Sequence, residues 1–181
     1  IDGTYIIGGQ SLPDPLFEFN NHGIQMVTLE VTDNNNCSNS TPLTSVTVWE
    51  NPDIVITTDP FWKCVDQPID ISSDQTILGA GTPPANIVQW VWDFDYGGTV
   101  SANPPTSPDE NAIVIYSTDG WKDIYLKITD NNGCEDEDEI SIDIQKLPTA
   151  LFTTNSPLCV NDDVIFINNS LEGDWPIIEY N

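Results

Sequence analysis

Oxygen atoms crowd one short stretch of this chain. In "DNNGCEDEDE" (130–139), Asp130, Asn132 and Glu135 offer carboxylate and amide oxygens within one turn and the strand after it. Calcium takes six to eight oxygen ligands from loops of this kind. These three residues are therefore the candidate metal ligands, with calcium the candidate ion and no other cofactor called for. Asp93 and Asp95, on either side of Phe94, mark a second acidic turn. A competing reading comes from strand geometry: successive side chains point to opposite faces. Glu135, Glu137 and Glu139 then share one face and Asp136 and Asp138 the other, as in a solvated charged strand that resists edge-to-edge pairing.

Catalysis finds little support. His22, in the turn "NNHG" (20–23), is the single histidine, and no serine or cysteine stands at a recognisable spacing from it. General acid–base work needs a carboxyl protected in a cleft with a raised pKa, and no pair is marked out for it. No catalytic residue is expected, and the chain is read as a non-enzyme. The cysteines Cys37, Cys64, Cys134 and Cys159 form no C-x-x-C pair, which argues against tetrahedral zinc. Structural disulfides, and hence an extracellular or cell-surface setting, are the simpler reading. Of the six tryptophans, Trp90 and Trp92 share one strand face and are expected to point inward. Trp62, Trp121 and Trp175 lie near turns, where exposed rings stack on sugars.

The charge bounds the partners. Acidic residues number 29 and lysines 4, with no arginine, for a net charge of −25. Nucleic-acid binding is excluded, because phosphates are neutralised by Lys and Arg, and an anionic membrane surface repels such a chain. No apolar run reaches the roughly 18 residues of a membrane span. Hydrophobic residues make up 39% of the chain, enough for packed cores rather than disorder. The opening "IDGTYIIGGQ" has no signal-peptide pattern and reads as part of a longer protein.

The elements that position these residues repeat. "TLEVTDNNNC" (28–37) returns as "YLKITDNNGC" (125–134), 97 residues later. Gly23 matches Gly120; Val27, Leu29 and Val31 match Ile124, Leu126 and Ile128; Asp33 and Cys37 match Asp130 and Cys134. "SVTVWENPDIVITTDP" (45–60) returns as "SIDIQKLPTALFTTNSP" (141–157), Cys64 matches Cys159 at 95 residues, and "IVQW" (87–90) matches "IIEY" (177–180) at 90. Small drift in the offset is what loop-length changes produce in a tandem array, and a period near 96 is a domain. The expected organisation is the C-terminal part of one repeat in residues 1–50, a complete repeat in 51–146 and the N-terminal part of a third in 147–181. The linkers "ENP" (50–52) and "KLP" (146–148) each end in proline, which stiffens the joint.

Short alternating or β-rich runs separated by Gly, Pro, Asn and Asp fill the repeat, and no helical periodicity is sustained. "DNNG" (130–133) is a tight hairpin turn, since Asn and Gly tolerate positive φ. About seven short strands per period predict an all-β chain of tandem immunoglobulin-like sandwiches, about seven strands each.

The complete repeat resembles the PKD domain, an Ig-like sandwich. That family's W-D-F-G-D-G-T motif is matched in "WDFDYGGT" (92–99) by Trp92, Asp93, Phe94, Gly97 and Thr99, with Asp95 in place of a glycine and one residue inserted. Tyr116, Gly120, Ile124, Leu126, Ile128 and Asp130 follow in family spacing, as do Phe19, Gly23, Val27, Leu29, Val31 and Asp33 in the first repeat; "DGT" (2–4) looks like the end of that repeat's own motif. The usual Tyr two residues after the glycine is Gln25 in one copy and Lys122 in the other. "NGC" after the sixth strand, with a cysteine just before the second, also resembles repeats of very long Bacteroidetes surface proteins, including gliding adhesins of the SprB type. The matching phase of "DGT" and "EYN" (179–181) reads as a window cut from a longer array.

In a standard Ig-like topology Cys64 and Cys134 of one repeat lie at opposite ends of the sandwich, beyond the roughly 7 Å that a disulfide spans. The four cysteines are therefore expected to bond to neighbouring repeats, with partners outside this sequence. The resulting reading is a structural stalk or adhesive segment of a long secreted or surface protein. Its partners would be neighbouring repeats and surface polysaccharide or other proteins. The alternative is a carbohydrate- or protein-binding accessory module of a secreted hydrolase.

Overall fold

The computed structural model describes residues 3–7, 14–59, 62–80, 85–98, 101–157 and 159–180. Asp2, Thr99 and Asn181 lie outside them, as does the Trp62 side chain. Among the described residues every regular element is a strand: β1 (Gly3–Ile7), β2 (Leu16–Phe19), β3 (Gly23–Val27), β4 (Glu30–Thr32), β5 (Ser38–Ser40), β6 (Thr44–Val48), β7 (Thr57–Asp59), β8 (Trp62–Cys64), β9 (Pro68–Ser72), β10 (Ile87–Asp93), β11 (Ala102–Asn103), β12 (Thr106–Ser107), β13 (Asn111–Tyr116), β14 (Gly120–Asp130), β15 (Glu135–Gln145), β16 (Phe152–Thr154) and β17 (Phe166–Asn168). No helix among them is long and apolar enough to cross a membrane.

The chain is an all-β, Ig-like β-sandwich protein. A five-stranded sheet runs β12-β10-β14-β15-β8 and a four-stranded sheet β11-β13-β9-β7. The described residues of 57–145 thus hold nine strands against the expected seven; the surplus is the two-residue β11 and β12. β8 joins β15 in parallel through Asp143–Gln145, whereas β9 pairs antiparallel with both β13 and β7. Alternation in the sequence sets the faces. In β14, Ile124, Leu126 and Ile128 are fully buried while the residues between them are not. Ile142 and Ile144 of β15, Ile69 and Ile71 of β9 and Val114 of β13 are buried likewise.

Two compact units divide the chain: Ile1–Ile54, Thr76–Gln89 and Ile128–Asp136 form one, and Val55–Gln75, Trp90–Lys127 and Glu137–Asn181 the other. The second holds a buried aromatic pair, Trp92 and Phe94, stacked with centroids 5.7 Å apart. The Trp92 indole N–H donates to the Asp109 carbonyl at 2.8 Å. Trp90, expected to share this burial, is only half-buried. Asp95, where the motif resembled calls for glycine, accepts the Ser101 and Ala102 amides at 2.9 Å each, so its carboxylate organises the turn.

Tyr116 is buried and donates its hydroxyl to the Phe94 carbonyl at 2.7 Å. Burial, followed by the Asp95, Asp93 and Asp123 carboxylates, pushes its phenol above the usual tyrosine range. In the unfolded chain the phenol loses its proton near pH 10, whereas the folded chain keeps it. The folded state then binds more protons, so stability is intact below pH about 10 and falls as pH rises beyond it. Alkaline denaturation of the wild type should show this fall. Tyr116→Phe should flatten it at a cost of about 1 kcal/mol at neutral pH for the lost hydrogen bond; an unchanged alkaline slope would refute the assignment.

Local geometry returns with the sequence. Asp33 and Asp130 each build the same turn: the carboxylate Oδ1 accepts the amides two and four residues on (Asn35 and Cys37; Asn132 and Cys134) at 2.8–2.9 Å. The residue before each cysteine has positive φ, 65° at Asn36 and 85° at Gly133. Cys64 and Cys159 each accept an amide from three residues on, Gln67 and Asp162, with Asp66 and Asn161 at positive φ. Gln25 donates back to the Asn21 carbonyl, and Lys122 to Thr118 Oγ1, again four residues back.

The linkers follow the same rule. In the first unit, Asp53 and Ile77 exchange backbone hydrogen bonds at 2.8 and 2.9 Å, and Glu50 Oε2 accepts the Ala80 amide at 2.8 Å. In the second, Thr149 and Leu171 exchange bonds at 2.9 Å, and Asp174 Oδ2 accepts the Lys146 amide. The paired positions are equivalent, but the carboxylate has moved from the linker to the opposite loop. Each tie is close enough to require glycine. A Cβ on Gly79 would overlap the Glu50 carbonyl oxygen and stand 2.8 Å from its carbon. A Cβ on Gly173 would overlap the Lys146 oxygen and stand 2.9 Å from the Leu147 carbonyl carbon.

Candidate functional site

The three candidate calcium ligands sit on one hairpin, where the Asp130 and Glu135 carboxylates accept hydrogen bonds. Asp130 is buried; its Oδ1 takes two amides, and its Oδ2 lies 3.5 Å from the Asn132 side-chain nitrogen. Glu135 Oε1 accepts from Thr129 Oγ1 at 3.4 Å. Asp136 Oδ2 accepts the Ile54 amide at 3.0 Å. A carboxylate that holds amide donors clamps its turn. Among the described residues no three His, Cys, Asp or Glu side chains group as a metal site. Asp130→Ala strands two amides in a half-buried turn and should cost about 2 kcal/mol. Asp33→Ala, at the exposed twin turn, should cost less. Denaturant unfolding of both variants checks this, and equal costs would contradict it.

Cys37, Cys64, Cys134 and Cys159 are free thiols, and Cys64 is not bonded to Cys134. Burial, then the Asp130 carboxylate, pushes the Cys134 thiol up, away from the thiolate that a nucleophile or metal ligand needs. His22 Nδ1 lies 3.5 Å from Glu50 Oε1, both half-exposed, which places the histidine beside the linker tie rather than next to a nucleophile.

A surface for a ligand lies elsewhere. On β14 the odd-numbered positions, opposite the buried Ile124, Leu126 and Ile128, carry Trp121, Asp123 and Tyr125. Tyr125 stacks on Tyr96 with centroids 4.8 Å apart and planes 17° apart, and its hydroxyl donates to Glu137 at 2.8 Å. Tyr96, Gly97, Trp121 and Lys122, with Asp95 and Asp123, line a hollow of about 150 Å³. Trp121 is 66% exposed there. A near-parallel stacked tyrosine pair and an exposed indole beside polar side chains offer apolar faces and hydrogen-bonding groups together, the two demands of a sugar ring. Trp121 stood out in the sequence by its place at a turn. Tyr96 and Tyr125, 29 residues apart, are joined only by the fold. Trp175, also exposed, spends its indole N–H on Gln145 Oε1 at 2.6 Å beside the second linker.

No family model matches this sequence, and no curated protein matches it. Among solved structures it is similar to a chain from a study titled "Structural basis for the promiscuous specificity of the carbohydrate-binding modules from the beta-sandwich super family", at a TM-score of 0.42 and 16% identity. The match covers 65% of this chain and 52% of that one, so it spans about half of that protein's length.

Proposed function

We propose that this chain is a non-enzymatic structural and adhesive segment of a long secreted or cell-surface repeat protein built from PKD-like units. The observation that carries the reading is the linker tie, formed twice at equivalent positions. Each tie fixes a proline-ended linker to the loop that follows it by two backbone bonds, a carboxylate and a glycine contact. A chain that bears load needs its joints held in one geometry, and a catalyst has no such need. The acidic surface keeps such units soluble and apart. Peptide mapping of the intact protein from its source, under reducing and non-reducing conditions, tests the proposal. A chain of several hundred kilodaltons yielding many related "TDNNGC"-like peptides, labelled on intact cells, is the expected result. An enzyme-sized chain with unrelated sequence beside two or three repeats would overturn it.

The Tyr96–Tyr125 stack and Trp121 favour a second reading, a carbohydrate-binding accessory module. Calorimetric titration with soluble polysaccharides should then give saturable binding. Trp121→Ala should weaken it roughly 30-fold, the loss of about 2 kcal/mol that a central aromatic anchor carries. Binding that is absent, or indifferent to Trp121, rejects this reading.

A further inference from the structure

Two of the cysteines, Cys134 and Cys64, stand beside linkers. In the first unit, the hairpin that carries Cys134 is seated on the residue before β10. The Asn131 amide donates to the Asn86 carbonyl at 2.9 Å, and the Asn86 amide to Asn131 Oδ1 at 3.0 Å. Cys134 belongs to the same turn: the Asp130 amide donates to its carbonyl at 2.9 Å, and its own amide to Asp130 Oδ1 at 2.8 Å. Two residues on, Asp136 Oδ2 accepts the Ile54 amide at 3.0 Å. The hairpin cysteine thus lies next to the linker that enters its repeat.

In the second unit, Cys64 stands beside the linker that leaves. It is in register with Gln145, the last residue of β15, and the following amide, Val65, donates to the Gln145 carbonyl at 3.0 Å. Gln145 Oε1 in turn accepts the Trp175 indole N–H at 2.6 Å. Cys64, Lys146, Trp175, Pro176 and Ile177 line one hollow of about 300 Å³. Pro176 is the counterpart of Asn86, because "IVQW" (87–90) and "IIEY" (177–180) match at an offset of 90. The segment that seats the hairpin in one repeat is therefore, in the repeat that follows, the segment beside Cys64.

The geometry points to a disulfide across each joint. The β8 cysteine of one repeat, here Cys64, bonds to the hairpin cysteine of the next repeat, the counterpart of Cys134. Cys134 itself pairs with the counterpart of Cys64 in the repeat before. Cys37 takes the role of Cys134, and Cys159 that of Cys64, in their own repeats. This rests on the repeat reading given above and adds what locks the joints. Two thiols lose two protons and two electrons as one S–S bond forms. A disulfide-bearing oxidoreductase of the secretory route accepts both and is left as a dithiol. The bridge and the tie then hold the same linker, and the bridge survives a local opening of the tie.

Non-reducing peptide mapping of the intact protein from its source, alkylated before digestion, tests this. The peptide with Cys64 should be found joined to a "TDNNGC"-like peptide that contains neither Cys134 nor Cys37. The peptide with Cys134 should be joined to a Cys64-like peptide from another repeat, and dithiothreitol should separate both pairs. Cys64 joined to Cys37, Cys134 or Cys159, or recovered as an alkylated free thiol, would overturn the cross-link. The same map keeps the two claims apart. Further "TDNNGC"-like peptides whose cysteines are alkylated overturn the cross-link alone, whereas a chain with no further repeats overturns the repeat reading itself.

Discussion

Gly79→Ala should destabilise the first unit by about 3 kcal/mol, the upper range for forcing a methyl into occupied space. The obstacle is the Glu50 carbonyl, a backbone group held in place by the tie itself, so neither partner can swing away cheaply. Either the Asp53–Ile77 pair breaks or the loop at 77–80 shifts, and the Ala80 amide loses Glu50. Thermal unfolding should show the loss. Exchange at Ile77 and Ala80 should accelerate first, while the turn at 130–134 is spared. Gly173→Ala should do the same to Leu171 and Lys146. A substitution that leaves stability and exchange unchanged would mean that the close approach is not a constraint.

Trp92→Ala should be worse, costing roughly 3–5 kcal/mol by the cavity it leaves. Trp92 is fully buried, stacks on Phe94 and satisfies the Asp109 carbonyl, so truncation removes packing, ring contact and a hydrogen bond together. Against a typical total stability of about 5–15 kcal/mol, that is enough to unfold a marginal unit. Trp92→Phe keeps most of the ring and should cost less than half as much. Denaturant melts compare the three, and equal midpoints for the alanine variant and the wild type would show that the ring is not part of the core.

What the sequence made legible was periodic and local. Alternation of Ile124, Leu126 and Ile128 with polar neighbours set the faces of β14, because a strand's side chains alternate whatever it packs against. "TDNNGC" announced its turn because Asn and Gly accept the backbone that the turn needs. The linker ties were not legible: Glu50 and Gly79 are brought together by tertiary packing, and the first glycine of "ILGAG" (77–81) does not declare its neighbour. The acidic stretch shows a related limit. Composition shows oxygens but not which are occupied, and Asp130 Oδ1 already accepts the Asn132 and Cys134 amides. Tyr96 and Tyr125 escaped notice because a stack across two strands leaves no spacing signature. Trp90 is half-buried although it shares a face with Trp92, since parity along a strand fixes direction but not how much covers it.

Native-state amide exchange at the two ties is the most direct test of the claim that one structural unit is built repeatedly. The account predicts that Asp53, Ile77 and Ala80 are protected, and that Thr149, Leu171 and Lys146 are protected in parallel, well above the exposed loop residues around them. Exchange at either set as fast as in an unstructured peptide would contradict it.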